Sequence, residues 1–212
     1  MKKNPLKMSP IQIIKRGNYL YHFSFWVYGL YYDLKFAGKS LNGTVFNNID
    51  GAYPAQNLSY IYLNELIKVI DCNSEDIFVD VGCAWGRLLA FLRNKTKIKQ
   101  FIGVEINKKI ADRAQHYFKK QPDVTILNGD ILEVFPEEGT VFFLFNPFDE
   151  NYLSLFLERV ENSVDHKIKL IYLYPTCREV LDKRSHWKIV KEIQLKPRHM
   201  GALDLCIYEF DA

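Results

Sequence analysis

A carboxylate stands near the end of the apolar pentapeptide Ile77-Phe78-Val79-Asp80-Val81, which runs at once into a glycine-punctuated turn, Gly82-Cys83-Ala84-Trp85-Gly86. A turn of this kind between a strand and a helix makes a cradle in which backbone N–H groups can face a ligand. A pyrophosphate bound there would be repelled by the acid, so Asp80 suits a ligand that carries an ammonium group. Three further polar groups follow apolar runs. Glu105 closes Phe101-Ile102-Gly103-Val104, Asp130 follows Asn128-Gly129, and Asn146-Pro147-Phe148 follows Phe143-Leu144-Phe145. A carboxylate such as Glu105 can accept two bonds from adjacent hydroxyls, each contributing roughly 1.5–3 kcal/mol. Asp130 can accept from an exocyclic amine while the N–H of Ile131 reads a ring nitrogen beside it. Asn146 and the Pro147 carbonyl then line the face on which a group is transferred.

These residues need a scaffold that brings four chain segments to one edge, and the hydrophobic pattern provides it. From residue 77 onward, strands are predicted at 77–81, 100–104, 124–128, 140–146 and 168–174, and helices near 87–95, 107–120, 149–162 and 177–184. Such alternation implies a mostly parallel sheet covered on both faces. Ligands on open sheets of this type sit beyond the carboxyl ends of the strands, where all four polar groups fall. Two terminal strands, 187–195 and 202–210, have no helix between them and read as a hairpin with one antiparallel member. A further helix is indicated by Leu58, Ile61, Tyr62, Leu66, Val69 and Ile70 at helical spacing.

The 212 residues carry 28 Lys/Arg and 25 Asp/Glu, a formal net charge of +3. That balance is unevenly distributed. Residues 1–40 hold seven of the bases (Lys2, Lys3, Lys7, Lys15, Arg16, Lys35 and Lys39) and one acid, Asp33, whereas the other 172 residues hold 21 bases and 24 acids. We therefore divide the chain into an aromatic, basic N-terminal extension and connector, 1–50, and a catalytic domain, 51–212. The four cysteines lack metal-ligand or disulfide-framework spacing, the five histidines are scattered, and no signal-peptide pattern follows the first lysines. A cytoplasmic protein with reduced thiols and no bound metal is expected. The apolar patch 19–32 is too short and too polar to be an integral membrane segment.

Four ordered motifs, FVDVGCAWGR (78–87), FIGVEIN (101–107), LNGDI (127–131) and FLFNPF (143–148), resemble those of the class I S-adenosylmethionine (SAM)-dependent methyltransferases. The separations agree as well, 25 residues from Asp80 to Glu105 and 50 from Asp80 to Asp130. The resemblance covers about three quarters of the chain. It implies an α/β fold, a Rossmann-like, doubly wound seven-stranded sheet, mostly parallel with an antiparallel C-terminal hairpin, here preceded by an N-terminal helical extension. It also implies SAM as cofactor, bound through Asp80, Gly82, Cys83 (by its backbone), Gly86, Glu105, Ile106, Asp130 and Ile131. Arg87 is placed to reach the methionine carboxylate, and Tyr53 to close over the cofactor. Asn146, Pro147 and Phe148 correspond to the catalytic Asn-Pro-Pro-aromatic motif of amino-methyltransferases, one proline short, in which the Asn oxygen and a Pro carbonyl accept from the target amine. Ala84 stands where the family has its middle glycine and is compatible with that turn if its φ is negative.

The acceptor stays open. A small molecule or glycan precursor leads, a protein side chain follows, and nucleic acid is disfavoured by the net acidic catalytic portion. A reading of another class is a non-catalytic SAM- or nucleotide-binding partner subunit. A nicotinamide-linked oxidoreductase lacks its G-x-G-x-x-G. The extension has three readings: a helix packed over the cofactor cleft, a peripheral membrane contact through residues 11–36, or a surface on which nucleic-acid bases stack.

Overall fold

Near-continuous apolar runs give β-strands such as 77–81, 100–105, 141–145 and 168–173 two buried faces. The computed structural model describes residues 19–41, 43, 57–198 and 200–212, with side chains of the first segment from residue 26 on; Tyr53 and His199 lie outside the described residues. The elements are α1 (Tyr19–Ala37), α2 (Tyr60–Leu66), β1 (Ile77–Val81), α3 (Arg87–Lys95), β2 (Gln100–Glu105), α4 (Lys108–Phe118), β3 (Val124–Asn128), β4 (Val141–Phe145), α5 (Glu150–Ser163), β5 (Ile168–Leu173), α6 (Glu179–Asp182), β6 (Trp187–Leu195) and β7 (Leu203–Phe210). Seven strands form one sheet in the order β3-β2-β1-β4-β5-β7-β6. Pairs among β1 to β5 are parallel, while β7 runs antiparallel to both β5 and β6. The strand order reverses between β1 and β4, the point at which a ligand crevice opens in such sheets.

Side-chain parity sorts the core into two layers. Phe78, Phe101, Val141 and Phe143 pack on one face with Leu89 and Phe91 of α3 and Ile110 and Phe118 of α4. Val79, Ile102, Phe142 and Leu144 pack on the other with Leu153, Phe156 and Leu157 of α5. Because side chains alternate with period two, Asp80 and Glu105 share the parity of Phe78 and Phe101. Both therefore project from the α3/α4 side of the sheet, one strand apart.

Local chemistry sets the helix starts. Asn107 caps α4 by accepting from the Lys109 and Ile110 N–H groups, and Asp149 caps α5 by accepting from Tyr152 N–H. The helix expected over 177–184 contracts to α6, Glu179–Asp182, because tight i→i+3 bonds flank it, Val180 N–H to Cys177 O and Arg184 N–H to Leu181 O. The helix expected over 58–70 likewise ends at Leu66 and continues in turns. The inner face of α1 packs Tyr28, Tyr32, Phe36 and Ala37 on the α3/α4 layer. Among the described residues, no helix is long and apolar enough to cross a membrane.

Candidate active site at the carboxyl edge of the sheet

The tips of β1, β2 and β3 carry the three acids side by side. Asp80 pairs in register with Gly103, and Glu105 with Asn128, whose side chain donates to the Glu105 and Ile106 carbonyls at 2.9 and 3.3 Å. Gly129 N–H donates to Glu105 O at 3.2 Å, which ties the loop bearing Asp130 to the tip of β2. Gly103 is a packing requirement of this arrangement: a Cβ there would lie 2.7 Å from Cys83 Sγ and 2.9 Å from Leu89. The Cys83 thiol thus fills the space over β2, and burial drives its ionisation well above the ordinary range. Its side chain is structural.

Asp80 is 5% exposed and receives no hydrogen bond from the described residues. Burial, with the neighbouring Glu105 charge adding to it, pushes its carboxyl up to about 8. Buried polar groups are normally paired, so a lone buried carboxylate needs an explanation. Glu105 is 2% exposed, and burial raises its pKa as well. Two backbone donors oppose that rise, Asn107 N–H to Oε1 at 2.8 Å and Ala84 N–H to Oε2 at 3.0 Å. They fix the carboxylate while each oxygen keeps a second lone-pair direction. Asp130 Oδ1 accepts from Leu132 N–H at 2.9 Å and from the Tyr152 hydroxyl of α5. Nothing in the motif spacing signals Tyr152, which reaches Asp130 from 22 residues further on. Ile131 is buried in the α5 layer, and Ile106 is half-buried.

Several expectations change in detail. The N–H groups of Gly82 and Cys83 do not face a ligand, because both donate to Val104 O, at 2.9 and 3.0 Å. Gly86 opens room for a helix: a Cβ there would lie 2.4 Å from the Phe118 ring of α4. Ala84 has φ 49°, in the left-handed region and not negative as expected, and this turn aims its N–H at Glu105. Asn146, also left-handed at φ 43°, accepts on Oδ1 from Tyr172 OH at 3.2 Å and Thr176 Oγ1 at 2.7 Å. Those two bonds take up both lone pairs of the amide oxygen, leaving a target amine no acceptor on it. Pro147 lies at the rim, 3.7 Å from a Cβ built on Gly82, so the β1 and β4 turns meet at the reversal point. The Phe148 ring does not line an open face, being packed on Tyr152 and Phe156 at centroid distances of 4.8 and 5.8 Å.

Arg87 does not wait for a ligand carboxylate. Its Nε and one terminal nitrogen donate to the two oxygens of Asp33, each at 2.9 Å, and its guanidinium covers the Tyr60 ring at 5.1 Å. Asp33 is fully buried and also accepts from Leu41 N–H at 2.9 Å and Tyr60 OH at 2.8 Å. One sequence signal pointed to it, its standing as the single acid of residues 1–40.

Residues 78–160 match a family model described as a methyltransferase domain. Over that stretch the chain is similar to the methyltransferase domain family. Solved structures share its fold. The B. subtilis M1A22 tRNA methyltransferase TrmK is 18% identical with a TM-score of 0.58, covering 70% of this chain and 65% of its own. The mitomycin 7-O-methyltransferase MmcR is 15% identical with a TM-score of 0.56, covering 71% of this chain and 53% of its own. A SAM-dependent methyltransferase from Aquifex aeolicus is 12% identical with a TM-score of 0.58, covering 73% of this chain and 94% of its own. The chain thus spans less than two thirds of the length of these first two structures. No curated protein matches it by sequence.

Proposed function

We propose that this protein is a methyltransferase that binds SAM across the tips of β1, β2 and β3 and transfers its methyl group to a small-molecule acceptor presented beside Asn146. The observation that carries the reading is Asp80, a buried carboxylate without a donor among the described residues, flanked by a second buried acid. A cationic amino-acid end supplies what Asp80 lacks, and that fit is independent of any resemblance. SAM, when bound, supplies a methyl group already activated on a positive sulfur. Glu105, held by Ala84 and Asn107, orients ribose hydroxyls on its remaining lone pairs. Asp130, steadied by Tyr152, accepts from the adenine amine. Asn146, its oxygen taken by Tyr172 and Thr176, presents its amide N–H groups to the acceptor and helps to set its angle of approach. Holding donor and acceptor in line is the main contribution available to the protein in such a transfer.

Two observations favour a small acceptor over the macromolecular ones. The saturated Asn146 oxygen removes the acceptor that a protein amine needs. The acid excess of residues 41–212 disfavours a polyanion such as the tRNA in the name of the B. subtilis relative. Calorimetric titration with SAM tests the site. Asp80→Asn keeps the shape and removes the charge, and should weaken binding at least about tenfold, the equivalent of losing one charge-assisted contact. Glu105→Gln should weaken it by a similar factor. Unchanged affinity in both variants would place the cofactor elsewhere.

A further inference from the structure

The helix α1 has two apolar faces, and the domain covers only one of them. Tyr28, Tyr32, Phe36 and Ala37 turn inward, and Asp33 on that side is locked to Arg87. Val27, Tyr31 and Leu34 recur at i, i+4 and i+7 on the opposite side, 42%, 57% and 51% exposed. A helix apolar all round belongs in an apolar setting on every side.

We propose that this outer stripe docks on an anionic lipid surface, with α1 lying in the plane of the interface. Charge selects the partner. The single acid of residues 1–40 is buried against Arg87, so the seven bases of that stretch face no exposed acid within it. Lys35, at the end of α1, extends over the Tyr32 and Phe36 rings at 5.8 and 5.7 Å, its stem along apolar surface, as a lysine does at a headgroup boundary. A second copy of the chain would bring two such basic extensions together, and they repel. A nucleic acid would use the bases and Tyr31 but gains nothing from Val27 and Leu34, whose aliphatic side chains neither stack on bases nor pair with phosphates. The headgroup–acyl boundary accepts aliphatic, aromatic and basic groups together. The contact is peripheral, since no described helix can span a bilayer.

Cosedimentation of the full chain with vesicles of phosphatidylcholine and phosphatidylglycerol, against vesicles of phosphatidylcholine alone, tests this. The chain should partition onto the anionic vesicles and leave them as salt is raised. The double variant Val27→Asp/Leu34→Asp should lose at least about tenfold in partitioning while keeping the parent's melting temperature, because both positions are exposed. Tyr31→Ser alone should give a smaller loss of the same sign. The proposal is overturned by any of three results: no binding to anionic vesicles at low salt, equal binding by the double variant, or a dimer in analytical ultracentrifugation that the double variant abolishes. Retardation of a short single-stranded RNA that depends on Val27 and Leu34, without vesicle binding, also overturns it.

Discussion

A turn that aims its donors at a carboxylate does so at some conformational expense, and Ala84 shows where. Its methyl group occupies the left-handed region that costs an L-residue about 1–2 kcal/mol, and that conformation directs its N–H to Glu105 at 3.0 Å. Glycine reaches the same φ without the clash, at a smaller penalty in chain entropy. Ala84→Gly should therefore raise the free energy of unfolding by up to about 1 kcal/mol in urea titrations and leave SAM affinity unchanged. A loss of stability would mean instead that the buried methyl contributes more by packing than it forfeits by strain. The acids at the strand tips were legible because an acid that ends an apolar run can be located from one segment alone. The saturated oxygen of Asn146 was not, since its donors, Tyr172 and Thr176, arrive from 26 and 30 residues away. The donation of Gly82 and Cys83 to Val104 was hidden for the same reason: it belongs to a neighbouring strand.

Between elements, the decisive contact is the one between α1 and the first residue of α3. A cation at a helix start meets an unfavourable dipole, yet Arg87 is held there by a bidentate, fully buried carboxylate. Removing one partner of a buried pair strands the other charge, a loss of about 3–5 kcal/mol, whereas removing both relieves much of it. Arg87→Met and Asp33→Asn should each lower the unfolding free energy by about that amount, and the double variant should lose clearly less than the sum of the two. Single-variant losses within about 0.5 kcal/mol of zero would show that α1 is not anchored by this pair. The strands followed from their apolar runs, and the hairpin from the absence of a helix between its members. The brevity of α2 and α6 did not follow, because local i→i+3 bonding interrupts a periodic pattern without altering it. The role of Arg87 depends on a residue 54 positions away, and no spacing rule reaches that far.

Across the whole molecule, the sheet binds two helix layers, and the candidate site draws on both: Glu105 and Asp80 project toward the α3/α4 side, while Tyr152 of α5 holds Asp130. Such a site makes stability and ligand affinity respond to pH in opposite directions. In the ligand-free fold Asp80 keeps its proton up to about 8, whereas an unfolded chain releases it near the ordinary carboxylate value of 3.8. The folded state therefore binds more protons between those limits, and the contribution of Asp80 to stability, complete at the acidic end, is lost as pH rises through about 8. An ammonium bound at Asp80 reverses the sign, because it favours the ionised carboxylate and displaces the proton. SAM affinity should climb with pH toward about 8, by no more than tenfold per unit, and then level or fall as an amino group of pKa about 8 loses its own charge. At a hundredfold excess over Kd, ligand adds about 2.7 kcal/mol, which for a chain of this size raises Tm by roughly 5–10 °C. At a fixed SAM concentration that increment should be larger at pH 8 than at pH 6, and Asp80→Asn should flatten the difference. A shift in Tm that is the same at both pH values in the parent protein would remove Asp80 from the ligand's charge.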